Sequence, residues 1–381
     1  MKKLFYLPIA AIAFLFTGCL NDDIPPPPPP GAASFESITA TAISINANND
    51  ALANAGENVV VTAIVVDDSR LVTAAHIQWS VGATAEEAIL MTAENNTFTA
   101  TIPGRAAGVS ATWNIVLTLT GDDPITSANR TLTWDNLVQV GDADPLAGQL
   151  LIFQGFGCGN ASPAGANRSF IEIYNTTDAA INLEGITLHW ANGIRGHVGR
   201  AAGFDQPWQM ITFTNEHIIP AGGSFLIAGP ERPSGRLVIP AGFGDINYEN
   251  FILGNRSFKV ALIRNTGRLA HQNPFNMDGN GGKAAGYIDL LGSVNNLTAT
   301  DPDNIFGWEG TGTLPAITTA RNSGSEAVRR GSLTDTDNNA ADFVSVRYAG
   351  DAEGVSDAEV VILRPRNSAA GSWTPEFPDL D

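Results

Sequence analysis

The 381-residue chain is poor in lysine and cysteine: it has four lysines, two of them at positions 2 and 3, and two cysteines. Acidic side chains number 39 against 21 basic ones, which gives a formal net charge of −18. A surface this acidic repels the phosphate backbone of DNA and RNA, and no cluster of Lys and Arg with interleaved aromatic residues offsets the repulsion. We therefore predict that the protein has no nucleic acid partner.

Charged residues make up only 16% of the chain, whereas glycine and proline are plentiful at 39 and 22 residues. Many Asn and Thr residues and few charged helix-forming runs accompany them. This composition is typical of a β-rich chain with numerous turns. The length is sufficient for two or three domains.

The N-terminal segment has the layout of a bacterial lipoprotein leader. "MKKLFYLPIAAIAFLFTGC" begins with a basic pair, continues with an apolar stretch from Leu4 to Phe16 and ends in small residues before Cys19. The stretch is too short for a good transmembrane helix, and "FTGC" resembles the lipobox, whose cysteine is acylated. We predict a signal peptide over residues 1–18 and a lipid anchor at Cys19. The alternative is a secreted protein with an incidental cysteine.

Residues 19–36 join the predicted anchor to the folded part of the chain. Six consecutive prolines within them form an extended polyproline II rod, which is typical of a spacer. The acidic pair Asp22 and Asp23 resembles the short signals that route some bacterial lipoproteins outward. We predict that the protein is lipid-anchored in the bacterial cell envelope, at the outer membrane or cell surface.

The second cysteine, Cys158, has no disulfide partner if Cys19 is acylated, so the fold must be held by its cores alone. A cysteine nucleophile needs a positioned base, and the sequence around "GFGCGN" offers none. We interpret Cys158 as a buried filler or turn residue.

Residues 37–141 read as a sequence of short strands. Runs such as "NVVVTAIVVDD", "AHIQWSV" and "ATWNIVLTLTGDD" are rich in β-branched residues and are separated by Gly, Asp and Asn turns. They resemble the immunoglobulin-like modules of bacterial secreted proteins, which implies a β-sandwich. We expect Trp79 and Trp113 to lie in its core.

Residues 148–370 contain four characteristic blocks: "FIEIYNTTDAAINLEG" (170–185), "IPAGGSFLIAG" (219–229), "RNSGSEAVRRGSLTDTDNNAADF" (321–343) and "PRNSA" (365–369). In this order they resemble the lamin tail domain, a family that combines an apolar strand and a glycine-rich loop with a "FIE(L/I)YN" strand. The resemblance implies a second immunoglobulin-like β-sandwich, and we expect Glu172 at an outward strand position. We expect residues 193–208 to form a surface loop and residues 371–381 a loose C-terminal tail.

The stretch "DTDNNAADF" offers oxygen ligands at Asp335, Asp337, Asn339 and Asp342, at the short spacing that calcium favours. An EF-hand loop would also need glycine at its sixth position and glutamate at its twelfth, where this chain has alanine and valine. We therefore favour a structural turn in which Asp and Asn side chains cap backbone groups and Phe343 reaches the core. Calcium binding through this loop is the alternative, and no other cofactor is predicted.

Other catalytic motifs do not fit. "NMDGNGGKAAG" (276–286) lacks the first glycine and the hydroxyl residue of a phosphate-binding loop, and is interpreted as a turn. The sequence has no H-E-x-x-H, G-x-S-x-G or C-x-x-C pattern. Of the five histidines, only His189 and His197 are close in sequence, with no carboxylate at ligand spacing, so all five are interpreted as ordinary hydrogen-bonding residues.

These observations predict an all-β protein of two consecutive β-sandwiches that is not an enzyme. The assigned segments leave no stretch for a separate catalytic domain of about 100 residues. We expect non-catalytic binding or adhesion to an extracellular protein or polysaccharide, with attachment to the membrane through the lipid anchor. The alternatives are an enzyme or accessory subunit of an extracellular hydrolase, of the nuclease or phosphatase type, and a calcium-dependent binding module.

Overall fold

The computed structural model places two β-sandwiches in succession along the chain. Residues 1–32 lie outside the part that it describes, so the leader, the anchor and most of the spacer stay predictions. Of the predicted surface loop 193–208, residues 193–207 also lie outside it, as do residues 378–381, and Trp208 is buried. The described residues are 33–42, 44–45, 50–67, 71–158, 164–192, 208–232, 235–255, 257–294, 307–310, 326–348 and 362–377.

Two sheets form the first sandwich. Sheet 1 has the order β1-β4-β9-β8, and sheet 2 has the order β2-β3-β12-β10-β5-β6, with β7 on β5 and β11 on β10. All neighbours are antiparallel except β12 and β3. The strands are β1 Ser34–Ala40, β2 Ser44–Ile45, β3 Ala51–Asn54, β4 Val59–Val66, β5 Val72–Val81, β6 Thr84–Ala85, β7 Ile89–Leu90, β8 Thr92–Glu94, β9 Thr97–Ile102, β10 Ser110–Leu119, β11 Ile125–Thr126 and β12 Arg130–Asp135.

The first sandwich follows from period-two alternation. In β4, Val59, Val61, Ala63 and Val65 are buried while the residues between them face outward. They meet residues of β5, β10 and β12 in one core. Trp79 and Trp113 belong to this core, which confirms their predicted positions. The sandwich starts at Ser34, three residues before the predicted boundary, so the end of the spacer is part of β1.

Two sheets of six and four strands form the second sandwich. Sheet 3 has the order β22-β20-β15-β13-β25-β26, sheet 4 has the order β18-β17-β23-β24, and two small pairs, β14-β21 and β16-β19, flank them. The strands are β13 Leu150–Phe156, β14 Ala164–Ala166, β15 Phe170–Asn175, β16 Ile181–Asn182, β17 Thr187–Asn192, β18 Gln209–Thr212, β19 Ile218–Ile219, β20 Ser224–Ala228, β21 Gly235–Leu237, β22 Ile246–Asn247, β23 Ser257–Ile263, β24 Tyr287–Val294, β25 Glu326–Arg330 and β26 Phe343–Arg347.

Sheet 3 is buried on both faces. Ile171 and Ile173 of β15 face sheet 4 in the main core of this sandwich, whereas Phe170 and its neighbours pack into a second cluster on the opposite face. Cys158 lies in that second cluster and is 2% exposed, which agrees with its interpretation as a buried filler or turn residue. A four-residue helix, α1 (Asn339–Asp342), precedes β26, and the C-terminal part contains a 3-10 turn, Ser368–Ala370.

The C-terminal segment corrects one prediction. Trp373 packs edge-on against Phe153 and Tyr174, with ring centroids 5.7 and 5.5 Å away. Its carbonyl accepts a hydrogen bond from the Tyr174 hydroxyl, and its backbone N–H donates to Gly222. Residues 371–377 are therefore not a loose tail but part of the layer that covers sheet 3.

In the described ranges, no helix has the length and apolar character needed to span a membrane.

The second sandwich makes backbone and side-chain contacts with the C-terminal end of the first sandwich and with the linker that follows it. Isolated bridges join Leu137 to Arg268 in parallel and Val140 to Ala284 in antiparallel fashion. The guanidinium of Arg268 lies 3.1 Å from the carboxylate of Asp135, the last residue of β12. The linker between the sandwiches is thus paired with the second one along the stretch from Leu137 to Val140.

Candidate functional site

The structure separates the four oxygen ligands predicted in "DTDNNAADF". Asp337 is on the surface, where both carboxylate oxygens accept hydrogen bonds from Lys283 at 2.9 and 3.1 Å. Asn339 points into the sandwich, where its side chain accepts from the Gly292 N–H and donates to the Leu290 carbonyl. These two side chains therefore serve different partners and do not converge on one point.

The remaining members of the loop act as caps. Asp342 accepts hydrogen bonds from the backbone N–H of Thr336 at 2.9 Å and from its hydroxyl at 2.6 Å. Asn338 accepts from the Ala340 N–H at the start of α1, as an N-cap residue does. Phe343 is 1% exposed and lies in the main core. These contacts confirm the predicted capping turn and its aromatic contact with the core.

A buried arginine, Arg330, lies behind this loop, between the two sheets of the second sandwich. Its Nη2 donates to both oxygens of Asp289 at 2.8 Å, and both side chains are fully buried. Its Nε donates to the Ile152 carbonyl at 3.1 Å. Asp335 and Asp342 are also near the guanidinium, at 3.6 and 3.5 Å. Two carboxylates of the loop, Asp335 and Asp342, thus lie next to the positive charge of Arg330.

Three carboxylates of this region, Asp289, Glu309 and Asp335, lie close enough to hold a metal ion, with ligand atoms within 4.8 Å of one another. Only Asp335 belongs to the predicted set. Glu309 is hydrogen-bonded to the Tyr287 hydroxyl and is near the side-chain amide of Asn339. Among the described residues, this is the place where a cation such as calcium would find hard oxygen ligands, but it would compete there with Arg330.

Burial changes the protonation of these carboxyls. It raises the pKa of Glu309 well above the usual value, and the charge of Asp289 adds to the effect. Burial also raises the pKa of Asp289, a rise that the guanidinium of Arg330 opposes. For Asp335, burial and the charge of Asp289 raise the pKa to about 6. These shifts favour a state in which Arg330 pairs with Asp289 and Glu309 holds its proton more tightly than an exposed glutamate does. Asp335, with a pKa of about 6, is ionised at neutral pH.

A second buried polar group corrects the prediction for Glu172. This residue is fully buried rather than outward-facing, because β15 has packed layers on both sides. Its carboxylate accepts hydrogen bonds at 2.5 Å from the Ser224 hydroxyl and from the Gln154 amide. Trp373 donates its indole N–H to Ser224 at 3.0 Å, which joins the C-terminal segment to the same network.

The histidines differ from one another. His189 is fully buried, and neither ring nitrogen has a hydrogen-bond partner in the part of the chain that the structure describes. Its interpretation as an ordinary hydrogen-bonding residue is therefore wrong. Burial, with a contribution from the charge of Arg268, lowers its pKa to about 3, so it is a neutral imidazole within a packed layer. His197 lies outside the described residues.

The second sandwich also carries an open pocket of about 380 Å³ that was not predicted from sequence. The C-terminal segment supplies six of its seven lining residues, and Phe243 is the seventh. The floor is fixed by the Asn367 amide, which donates to the Phe243 carbonyl at 2.7 Å, and by Ser368, which donates its backbone N–H and its hydroxyl to Asp245. The lining residues are Phe243, Arg364, Pro365, Arg366, Asn367, Ala369 and Ala370.

Two arginines give this pocket its chemistry. The guanidinium of Arg366 lies over the ring of Trp373, 3.7 Å from its centroid. Its Nη1 is buried without a hydrogen-bond partner among the described residues. Arg364 is exposed at the rim. The only sequence signal for this site was "PRNSA", which the lamin tail resemblance had marked as a fold motif.

The comparisons with known proteins give a fold likeness only. No protein-family model and no curated protein matches the chain. Solved structures that resemble it include a chimeric titin Z1Z2 (11% identity, TM-score 0.20, 60% of this chain and 90% of that one). Another is α2-macroglobulin from Escherichia coli (9%, 0.22, 59% and 14%), and a third is the FN1–FN3 domains of chicken CNTN1 (14%, 0.16, 64% and 64%). The all-β sandwich assignment rests on the sheets and cores described above.

Proposed function

We propose that the protein is a lipid-anchored, non-catalytic binding protein of the bacterial cell envelope. A proline spacer separates its two β-sandwiches from the membrane. The observation that carries the binding role is the open pocket between Phe243 and residues 364–370. Its floor and one wall are fixed by hydrogen bonds to Asp245 and Phe243, so it is preformed. Preformed concave sites of this size are typical of small-ligand binding.

The composition of the pocket supports binding rather than catalysis. Its described lining offers two guanidiniums and one amide, together with apolar side chains. General acid–base chemistry needs a group that titrates near the working pH, and an arginine stays charged. The titratable carboxyls Glu172 and Asp289 are engaged elsewhere, in networks buried inside the sandwich.

The second sandwich is proposed to be a lamin tail domain. The four sequence blocks that carry this resemblance fall on structural elements in order. "FIEIYN" is β15, and "SFLIA" is β20. "EAVRR" is β25, and the "PRNSA" block overlaps the 3-10 turn and borders the pocket. Each block therefore serves a definite element of the second sandwich, as a fold signature should.

A site-specific crosslinking experiment on intact cells tests the binding role. A photoreactive side chain is introduced at Ala369, on the rim of the pocket, and a matched control has it at Ala83, an exposed position of the first sandwich. We expect the Ala369 variant to crosslink to an extracellular component that the Ala83 variant does not capture. Equal products from both positions, or none from either, would refute binding at this pocket.

Calcium-dependent binding is the second candidate, because Asp289, Glu309 and Asp335 bring three carboxylates together. Against it, Asp289 already pairs with Arg330 and accepts backbone N–H groups from Ile152 and Leu290. A melt of the full chain with calcium and with chelator decides between the candidates, since an ion bound only by the folded state raises the melting temperature.

A further inference from the structure

The pocket at residues 364–370 carries positive charge in a strongly acidic protein. Arg364 and Arg366 line it, and no ion pair joins either of them to a carboxylate among the described residues. Arg329, which does not line the pocket, is influenced electrostatically by Arg366 but also by Glu172 and Glu376, so its charge is already offset. An anion would therefore meet a local field opposite in sign to the formal net charge of −18.

The neighbouring carboxylates are already engaged. Asp245, below the floor, accepts from the Ser368 hydroxyl and from the N–H groups of Ser368 and Leu226. Glu172, beneath the C-terminal segment, accepts from Ser224 and Gln154, and burial raises its pKa. Neither of these two carboxylates is free to neutralise Arg364.

Arg366 is also held in a fixed position. Its guanidinium lies over Trp373, and that ring is locked by its own hydrogen bond to Ser224 and by edge contacts with Phe153 and Tyr174. A guanidinium fixed by stacking loses little conformational entropy when it binds an anion. Apart from the Asn367 amide, the rest of the lining is apolar: Phe243, Pro365, Ala369 and Ala370.

We propose that this pocket binds a small organic carboxylate, with the carboxylate on Arg364 and Arg366 and a flat apolar body against Phe243. The inference rests on the proposed binding function and names the ligand class of the same site. An anion without an apolar body can bind only to the guanidiniums. An uncharged analogue can contact only the apolar wall. Both should therefore bind more weakly than a molecule that combines the two features.

Benzoate, benzamide and inorganic phosphate are suitable probes, titrated calorimetrically into the purified full-length chain in a non-ionic detergent. We expect saturable binding of benzoate, and affinities for benzamide and phosphate lower by about tenfold or more, because charge-assisted hydrogen bonds dominate such sites. Absence of benzoate binding up to about 10 mM overturns the proposal. Equal affinity for benzoate and benzamide, or for benzoate and phosphate, also overturns it.

Three variants locate the site. Arg364→Gln and Arg366→Gln should each weaken benzoate binding by about tenfold. Arg105→Gln removes an arginine of the first sandwich, which pairs with Glu86, and should change nothing. Because Arg364 is exposed and has no charged partner among the described residues, its variant should fold normally even if Arg366→Gln loosens Trp373. Native affinity in folded Arg364→Gln would overturn the proposal.

Failure of this inference and failure of the proposed function have different signatures. Crosslinking through Ala369 assumes nothing about ligand chemistry. A protein that crosslinks on cells but ignores benzoate keeps its binding function and loses the carboxylate assignment. A protein that binds benzoate yet captures nothing on cells keeps the carboxylate site, and its role in binding an extracellular component is refuted.

Discussion

Removal of the buried Arg330 charge should be the most destabilising single change in the second sandwich. Arg330→Met leaves a side chain of comparable length but deletes the two contacts to Asp289 at 2.8 Å and the donor to the Ile152 carbonyl. It also deletes the guanidinium that lies 4.7 Å from the centre of the Phe343 ring. What remains is a group of buried carboxyls without a positive partner.

The magnitude follows from the burial of the pair. Breaking a fully buried ion pair by removing one partner costs about 3–5 kcal/mol, because the other charge stays buried and uncompensated. Asp289 keeps its two backbone N–H donors, Ile152 and Leu290, and can take up a proton, which places the expected loss toward the lower end of that range. Arg105→Met is the matched control: its ion pair is about one-third exposed on each side, so it should lose at most about 1 kcal/mol.

The sign of the pH dependence provides an independent check. Without Arg330 the pKa of Asp289, which burial already raises, should rise further in the folded state. The folded variant then binds a proton more tightly than the unfolded chain does, so its stability is greatest below about pH 4 and falls as pH rises. The loss relative to the native protein should widen over the same interval.

The assay is urea unfolding of the full chain at several pH values, monitored by tryptophan fluorescence. If the two sandwiches unfold in separate steps, the transition of the second one is analysed separately. A loss below about 1 kcal/mol, or one equal to that of Arg105→Met, would show that the pair does not organise the inter-sheet space. A loss that is constant from pH 4 to 8 would refute the protonation argument.

Four further predictions address other parts of the molecule. Cys19→Ala should abolish labelling by a radioactive fatty acid and release the protein from membranes; retention of either would refute the anchor. Purified protein should not shift DNA or RNA at moderate salt, and tight salt-sensitive binding would reveal a hidden basic face. The pKa of Asp335 is raised to about 6, so its contribution of about 1–2 kcal/mol should be present below about pH 4 and be lost as pH rises through 6; Asp335→Asn should flatten this slope in pH-dependent melts. Asp337→Ala should cost about 1–2 kcal/mol, from the surface contact to Lys283 and from alanine at a φ of +54°, with or without calcium; a calcium-induced rise in the native melting temperature that the variant lacks would show that Asp337 itself binds the ion, although it lies outside the cluster of Asp289, Glu309 and Asp335.

The first sandwich could be predicted well because its pattern is local. Strand β10 alternates polar and apolar residues from Ser110 to Ile115 and buries the apolar ones, and the two tryptophans fall on inward positions of β5 and β10. One face of each sheet packs on the core, so in such strands a polar residue indicates the outward face and an apolar residue the inward face. Strand β4 alternates in burial but not in polarity, because its outward positions include Val60, Ile64 and Val66.

The same reasoning failed for Glu172 because sheet 3 has no outward face at that position. All six residues of β15 are buried. The alternation of side chains along the strand therefore shows which face of the sheet a residue lies on, but not whether that face is exposed to solvent. The layer that covers Glu172 comes from the C-terminal segment, which lies about 200 residues further along the chain. Arg330 was missed for a related reason: its partner Asp289 is 41 residues away, and "AVRRG" alone resembles an exposed strand end.

The C-terminal segment therefore connects fold and proposed function. Trp373 closes the network around Glu172 from one side and supports the guanidinium of Arg366 from the other. The residues between them, 366–373, supply one wall of the pocket and bond to Asp245 and Gly222. A segment that only covered sheet 3 would need apolar residues on its inner side and nothing in particular on its outer one. The covering role does not require the outward-facing Arg364, whereas a ligand-binding role does. We therefore place the proposed ligand site at the pocket rather than at the acidic loop.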